Sequence, residues 1–130
     1  FLLGLDGLVR TMSYLRLDTA FAQATAGAFD VVGGRAAFFV VEAVHAARGR
    51  ADAIVINPGA FTHYSWALHD ALAAFEGPIV ELHLSNPQRR EEWRHTSVVA
   101  PVATAMLCGL GGTGYRLAGE AVLDLLARRP

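Results

Sequence analysis

Ile54-Val55-Ile56-Asn57-Pro58-Gly59 reads as a short buried strand cut off by a turn. Three strand-favouring apolar residues are followed by three that cannot continue a ladder. Outward from it in both directions, short apolar runs alternate with longer stretches of helical periodicity, the pattern of an α/β protein with a parallel sheet. Upstream, residues 1–5 are a candidate first strand ending in Asp6-Gly7. Ser13 is placed to cap a helix over 14–26, with Leu15, Phe21, Ala22 and Thr25 near one face. Residues 29–32 form a second short strand closed by Gly33-Gly34, and 35–48 a helix with Phe38, Val41 and His45 at helical spacing. Downstream, the pattern gives a helix over 65–75, a strand over 78–84, a polar turn or short helix over 87–93 and a last strand over 102–110. Gly111, Gly112 and Gly114 then turn the chain into a helix running through Ala127.

Five strands with intervening helices have the size and rhythm of a flavodoxin-like, doubly wound five-stranded parallel sheet in three layers. In such sheets function lies beyond the carboxyl ends of the strands. That rule singles out Asn57-Pro58-Gly59, His83-Leu84-Ser85-Asn86 and Asp6-Gly7.

Composition narrows the class further. With 130 residues, 53% apolar and 18% charged, the chain suits a single domain over 1–130 and leaves no room for a second. A net charge of -1 offers no electrostatic footprint for nucleic acid or an anionic membrane. All eleven basic residues are arginines, which excludes Schiff-base chemistry and lysine-dependent phosphate loops. The single cysteine, Cys108, excludes an intrachain disulfide framework and a cysteine-rich zinc site. It reads as inert core and fits a reducing cytoplasm. Every apolar run is interrupted before eighteen residues, so no membrane-spanning helix is expected. Phe rather than Met at position 1 points to a short missing N-terminal piece.

Glu81 and His83 stand two apart on an expected strand, so their side chains share a face. A carboxylate beside an imidazole sets its tautomer and prepares a general acid, although a solvent-facing strand end would look the same. Asn57, directly after a buried strand, either offers its amide to a developing oxyanion or caps the following helix. His63 lies near the start of the next helix, where backbone N–H groups favour anionic or hydroxylated ligands. Arg89, Arg90, Glu91, Glu92, Trp93, Arg94 and His95 form the densest polar stretch. There, Arg89 is expected to face solvent and one of Arg90 or Arg94 to be functional, since arginines can hold a substrate carboxylate. Arg90 with Glu91 and Glu92 could equally form a solvated, salt-bridged surface turn. The five histidines lack ligand spacing, so no metal is expected. The Gly109-Leu110-Gly111 run follows the last strand without the acidic partner that a dinucleotide site needs.

These segments together resemble the type II 3-dehydroquinate dehydratases. The matching stretches are Ile56-Asn57-Pro58-Gly59-Ala60-Phe61-Thr62-His63 with Ser65, Ala67-Leu68-His69-Asp70-Ala71-Leu72, and Glu81-Leu82-His83-Leu84-Ser85-Asn86. Arg90-Glu91-Glu92-Trp93-Arg94-His95-Thr96-Ser97, Gly109-Leu110-Gly111 and Gly114-Tyr115 complete the set. The resemblance implies a flavodoxin-like fold, trimers assembling into dodecamers, no cofactor and no metal. It implies a cytoplasmic lyase that eliminates water from 3-dehydroquinate, a small cyclic substrate, through an enolate. Asn57 would hold the water that stabilises the enolate, and His83 would protonate the departing hydroxyl, oriented by Glu81. His63, Ser85, the Leu84 backbone and Arg94 would bind the substrate's hydroxyls and carboxylate. Asp70 would reach across the trimer interface.

The N-terminal third departs from that pattern. The family follows its first strand with Asn-Gly-Pro-Asn-Leu-Asn and a lid carrying an Arg and the Tyr that acts as base. Here the chain reads Asp6-Gly7-Leu8-Val9-Arg10-Thr11-Met12-Ser13-Tyr14. Arg10 and Tyr14 are the local candidates for that pair. Four apart, they would share one face if the segment were helical, where a Tyr near an Arg gains the lowered pKa a base needs. Ordinary first-turn packing is the alternative. Phe38, Phe39, Tyr64 and Trp66 stand where the family carries smaller or more polar residues. Lining the pocket, they would suit a bulkier, less hydroxylated substrate; lining an interface, they would say only that the oligomer packs differently. A non-catalytic assembly subunit is the remaining alternative.

Overall fold

The structure is a computed structural model and describes residues 12–15 and 35–128, with side chains from Val40 onward. Its sheet has the order β1 (Met12–Leu15), β2 (Ala53–Ile56), β3 (Ile79–His83), β4 (Ala105–Cys108). Strands β2, β3 and β4 are parallel, with Ile54 opposite Ile79 and His83 opposite Cys108. Every residue of β2 and β3 is buried, as in strands covered on both faces; β2 is an unbroken apolar run, whereas β3 carries Glu81 and His83 among its apolar residues.

Strand periodicity divides the core in two. Ala53, Val55, Val80 and Leu82 turn towards α3 (Thr113–Ala127), where Ala118 and Val122 meet them. Ile54, Ile56 and Ile79 turn the other way, onto Val40, Val44 and Ala47 of α1 (Arg35–Ala47) and Leu68, Ala71 and Leu72 of α2 (Trp66–Ala73). The described part is therefore a three-layer α/β/α arrangement around a mainly parallel sheet. Ser65 starts α2 by accepting the Leu68 N–H at 3.3 Å. At Gly114 a Cβ would lie 2.7 Å from Leu82 Cδ1, so the missing side chain lets α3 lie close against β3.

Several expectations need correction. Residues 14–26 do not begin a helix capped by Ser13. Met12–Leu15 is an antiparallel strand, with Tyr14 opposite Ile54. The backbone groups along the open edge of β2 need partners, and a neighbouring extended segment supplies them more completely than one capped turn would. The doubly wound five-stranded sheet becomes, among the described residues, four strands of which three are parallel. The expected strands at 1–5 and 29–32, most of the helix over 14–26, and Arg10 lie outside the described residues. The strand expected over 102–110 shortens to β4, because Ala100–Val102 forms a 3₁₀ turn with Pro101 at its start. On β4 Cys108 is half-buried, not core. Arg89 is exposed, as expected.

Candidate active site

At the carboxyl ends of β2 and β3 the chain opens a cleft of about 250 Å³. Its lining includes Asn57, His63, His83, Ser85, Arg90 and Arg94. This is where the strand-end rule looks for function. The volume lies just below the roughly 300–1,000 Å³ typical of sites for drug-sized ligands, which suits a compact molecule. Its cationic lining suits an anionic one.

β3 supplies one wall. Continuing the Ile79 face, Glu81 and His83 point towards the α1–α2 side, where their oxygen and nitrogen atoms would be stranded without polar company. That company comes from two loops. Glu81 is fully buried and accepts hydrogen bonds from His83 Nε2 at 2.8 Å, from Ser97 Oγ at 3.0 and 3.1 Å, and from Thr62 Oγ1. A carboxylate only accepts, so the imidazole carries its proton on Nε2. Nδ1 of His83 has no partner among the described residues. No fully buried side-chain nitrogen or oxygen there goes unpaired, so Nδ1 opens onto the cleft. Glu81 and His83 are therefore a buried, oriented pair and not a solvent-facing strand end.

β2 supplies the second wall. Asn57 is buried, and its Oδ1 accepts the Gly59 N–H at 3.2 Å, closing a turn that Gly59 completes at φ +56°. Its Nδ2 donates to the Tyr115 hydroxyl at 3.3 Å. Sequence reasoning set capping against catalysis for Asn57, and the side chain divides the work: its oxygen builds the turn and its amide nitrogen is held by α3. Burial pushes the Tyr115 phenol above the ordinary tyrosine range, opposed by the hydrogen bond from Asn57. Tyr115 therefore stays protonated and is poorly suited to take a proton from a substrate.

The third wall is the polar stretch after β3. His63 Nδ1 donates to the Thr96 carbonyl at 2.8 Å, which leaves Nε2 as a hydrogen-bond acceptor. The His63 ring meets Trp93 edge-on at 5.2 Å, and Arg94 lies 4.1 Å above the centre of the Trp93 ring. Arg94 Nε donates to Glu91 at 2.7 Å, leaving its two terminal nitrogens for a ligand. Glu91's own backbone N–H and Arg94 hold the Glu91 carboxyl below the usual carboxylate range. Ser85 and Leu84 also line the cleft, and the Leu84 carbonyl is taken by the Gly111 N–H at 2.9 Å. What Leu84 could offer a ligand is its N–H.

The cleft thus unites Asn57, His63, His83, Leu84, Ser85 and Arg94, with Glu81 behind His83. Asp70 does not join them and sits exposed on α2. Three comparisons bear on what this arrangement is. The family model described as dehydroquinase class II matches residues 17–123.

The chain belongs to the class II dehydroquinase family.

Among curated relatives it is 57% identical over 79 residues to a 3-dehydroquinate dehydratase of Bacillus licheniformis, covering 61% of this chain and 54% of the relative. To 3-dehydroquinate dehydratase 2 of Pseudomonas aeruginosa it is 61% identical over 77 residues, covering 59% and 52%. The crystal structure of type II dehydroquinase from Butyrivibrio crossotus superposes with a TM-score of 0.65 at 41% identity, covering 66% of this chain and 61% of that one. That from Propionibacterium acnes gives 0.59 at 38%, covering 72% and 65%. The matches span between half and two-thirds of these dehydroquinases' own length.

Two sequence readings need correction at this cleft. Tyr14 and Arg10 do not share a helix face, because Tyr14 lies in β1 and Arg10 outside the described residues. Through its partner Ile54, Tyr14 sits three residues before Asn57 along β2, roughly 10 Å of strand rise. Tyr64 and Trp66 are exposed and do not line the cleft, so they give no support to a bulkier substrate; the side chains of Phe38 and Phe39 lie outside those described. Sequence reasoning missed Thr62, Ser97 and Tyr115 as site residues. All three stood inside the matching segments, but only their hydrogen-bond partners reveal their place.

Proposed function

We propose that this protein eliminates water from 3-dehydroquinate through an enolate, the activity for which its curated relatives are named. The observation that carries this reading is the Glu81–His83 pair, buried on one side of the cleft and facing Asn57 on the other. Loss of the proton beside the ketone would put negative charge on the carbonyl oxygen, to be stabilised through a water held by Asn57. His83, anchored through its Nε2–H to Glu81, would take up a second proton on Nδ1 and hand it to the departing hydroxyl. One C–H and one C–O bond break, a C=C bond forms in conjugation with the ketone, and water leaves. Arg94, His63, Ser85 and the Leu84 N–H would hold the substrate's carboxylate and hydroxyls. Tyr14 remains the proposed base and Arg10 its proposed partner.

The same reading extends to architecture. A five-stranded flavodoxin-like sheet would complete the three parallel strands, and trimers or dodecamers would bury the exposed Tyr64, Trp66 and Asp70 at the start of α2. A cytoplasmic location suits such an enzyme, and no helix among the described residues is long and apolar enough to cross a membrane. The test is to mix the purified protein with 3-dehydroquinate and follow the ultraviolet absorbance of the conjugated enone. Steady growth in absorbance that depends on the protein supports the reading. No turnover by a folded, oligomeric sample would overturn it.

A further inference from the structure

Behind the cleft the Glu81 carboxylate is enclosed by more hydrogen-bond donors than a single His partner requires, and the direction of each bond can be deduced. A hydroxyl has one proton to give and two lone pairs with which to accept. Both lone pairs of Ser97 Oγ are occupied, by the Val99 N–H at 3.1 Å and the Ala100 N–H at 2.8 Å. Thr62 Oγ1 lies 2.7 Å from Ser97 Oγ but finds no acceptor there, so its proton goes to Glu81 Oε1. The Ser97 proton in turn points to Glu81 or to Thr62. Every mobile proton of the cluster is thus directed at the carboxylate, either directly or by way of the Thr62 hydroxyl, and Glu81 is held as a pure acceptor. The clamp is itself anchored, since the Val98 N–H donates to the Thr62 carbonyl at 2.7 Å and ties the two loops together.

We propose that Thr62 and Ser97 are positioning residues that act through Glu81 to hold His83 in the tautomer with Nε2 protonated and Nδ1 facing the substrate. This rests on the reading of His83 as the acid. Neither hydroxyl lines the cleft, so neither touches substrate. Their contribution is to leave the imidazole one orientation and one proton arrangement. Without them, Glu81 can rotate, and His83 divides between tautomers, only one of which keeps Nε2–H on Glu81 and leaves Nδ1 to the cleft.

The decisive comparison is Thr62→Val against Thr62→Ser. Valine keeps the shape and loses the hydroxyl; serine keeps the hydroxyl and loses the methyl. Nitrogen-15 NMR of the imidazoles, with the His83 signals assigned by their loss in His83→Asn, reads the tautomer directly. For wild type and Thr62→Ser we expect a single tautomer and kcat values on 3-dehydroquinate within about twofold of each other. Thr62→Val should show mixed tautomers and a kcat lower by roughly tenfold or more, with KM within about twofold, as misorientation of a catalytic group produces. Ser97→Ala should follow Thr62→Val. Because Ser97 also holds two backbone N–H groups, that variant can fail to fold, and Thr62→Val then carries the test. A wild-type tautomer and kcat in Thr62→Val would overturn the proposal, as would an equal loss in Thr62→Ser. If the wild type does not turn over 3-dehydroquinate, the proposed function falls, while the NMR comparison still decides the clamp.

Discussion

The wall of the cleft built on β3 and the wall built by the 3₁₀ turns after it are made from similar side chains held in opposite ways. On the first, Glu81 is wholly buried, His83 is 7% exposed, and each bond of the carboxylate is made inside the protein. On the second, Glu91 joins Arg90 and Arg94 at the surface, with side chains 57%, 45% and 22% exposed. Taking a carboxylate out of water is costly unless its partners are complete, so the first wall is rigid and intolerant. The second is screened by solvent and salt, and its ion pairs add little to stability. Chemistry that needs one fixed proton belongs on the first wall, and recognition of a charged ligand that comes and goes belongs on the second.

Breaking the first wall should give the largest effect. His83→Ala is expected to lower kcat by about 10²–10⁴-fold, the usual worth of a positioned acid, while circular dichroism and light scattering show an unchanged fold and assembly. Unchanged turnover would remove His83 from the mechanism. Asn57→Ala should cost roughly 10²–10³-fold in kcat, as loss of an oxyanion donor does, together with some stability because the Gly59 turn loses its acceptor. Kinetics and a thermal melt on the same sample separate the two losses.

The second wall should respond through binding. Arg94→Ala is expected to raise KM more than it lowers kcat, with the wild-type KM rising as salt is added and the variant's rising less steeply. An equal fall in kcat with constant KM would move Arg94 from recognition to chemistry. The smallest effect belongs to Glu91. Its carboxyl titrates below the ordinary value in the folded protein, so its contribution is present at neutral pH and fades as pH falls through that lowered value. Because the ionised Glu91 carboxylate holds Arg94, KM should rise as pH falls through that lowered value; Glu91→Gln should flatten this dependence and leave the melting temperature almost unchanged.

Tyr115 links the walls to α3 and supplies a prediction at the other end of the pH scale. Its folded-state value is raised, so the protonated phenol stabilises the fold below the unfolded value of about 10, and this is lost as pH rises further. The chain has no lysine, three tyrosines and one cysteine, so few other side chains titrate there. A denaturation series from pH 9 to 11 should therefore be steeper for wild type than for Tyr115→Phe. Parallel curves would mean that Tyr115 ionises as freely as an exposed phenol.

Much of the parallel core was legible because its signals are local. Ile54-Val55-Ile56 before Asn57-Pro58-Gly59 marks a buried strand and its end, and the two-residue spacing of Glu81 and His83 puts them on one face. β1 was not legible. Met12-Ser13-Tyr14-Leu15 carries a plausible helix cap, and only the open edge of β2 makes it a strand. Asn57 and Arg94 could be named from motif and position, whereas sequence left Tyr64 and Trp66 open between pocket and interface until their exposure was known.

Sequence by itself determined the α/β rhythm, the strand ends where a site would form and the residue types that could work there, because backbone geometry and strand periodicity act over a few neighbours. Tertiary structure alone decided which polar groups complete one another. Thr62, Glu81 and Ser97 are separated by nineteen and sixteen residues along the chain, and Asn57 and Tyr115 by fifty-eight. No local pattern connects them. They meet because a buried carboxylate and a buried amide must find partners wherever the packed layers bring them within reach.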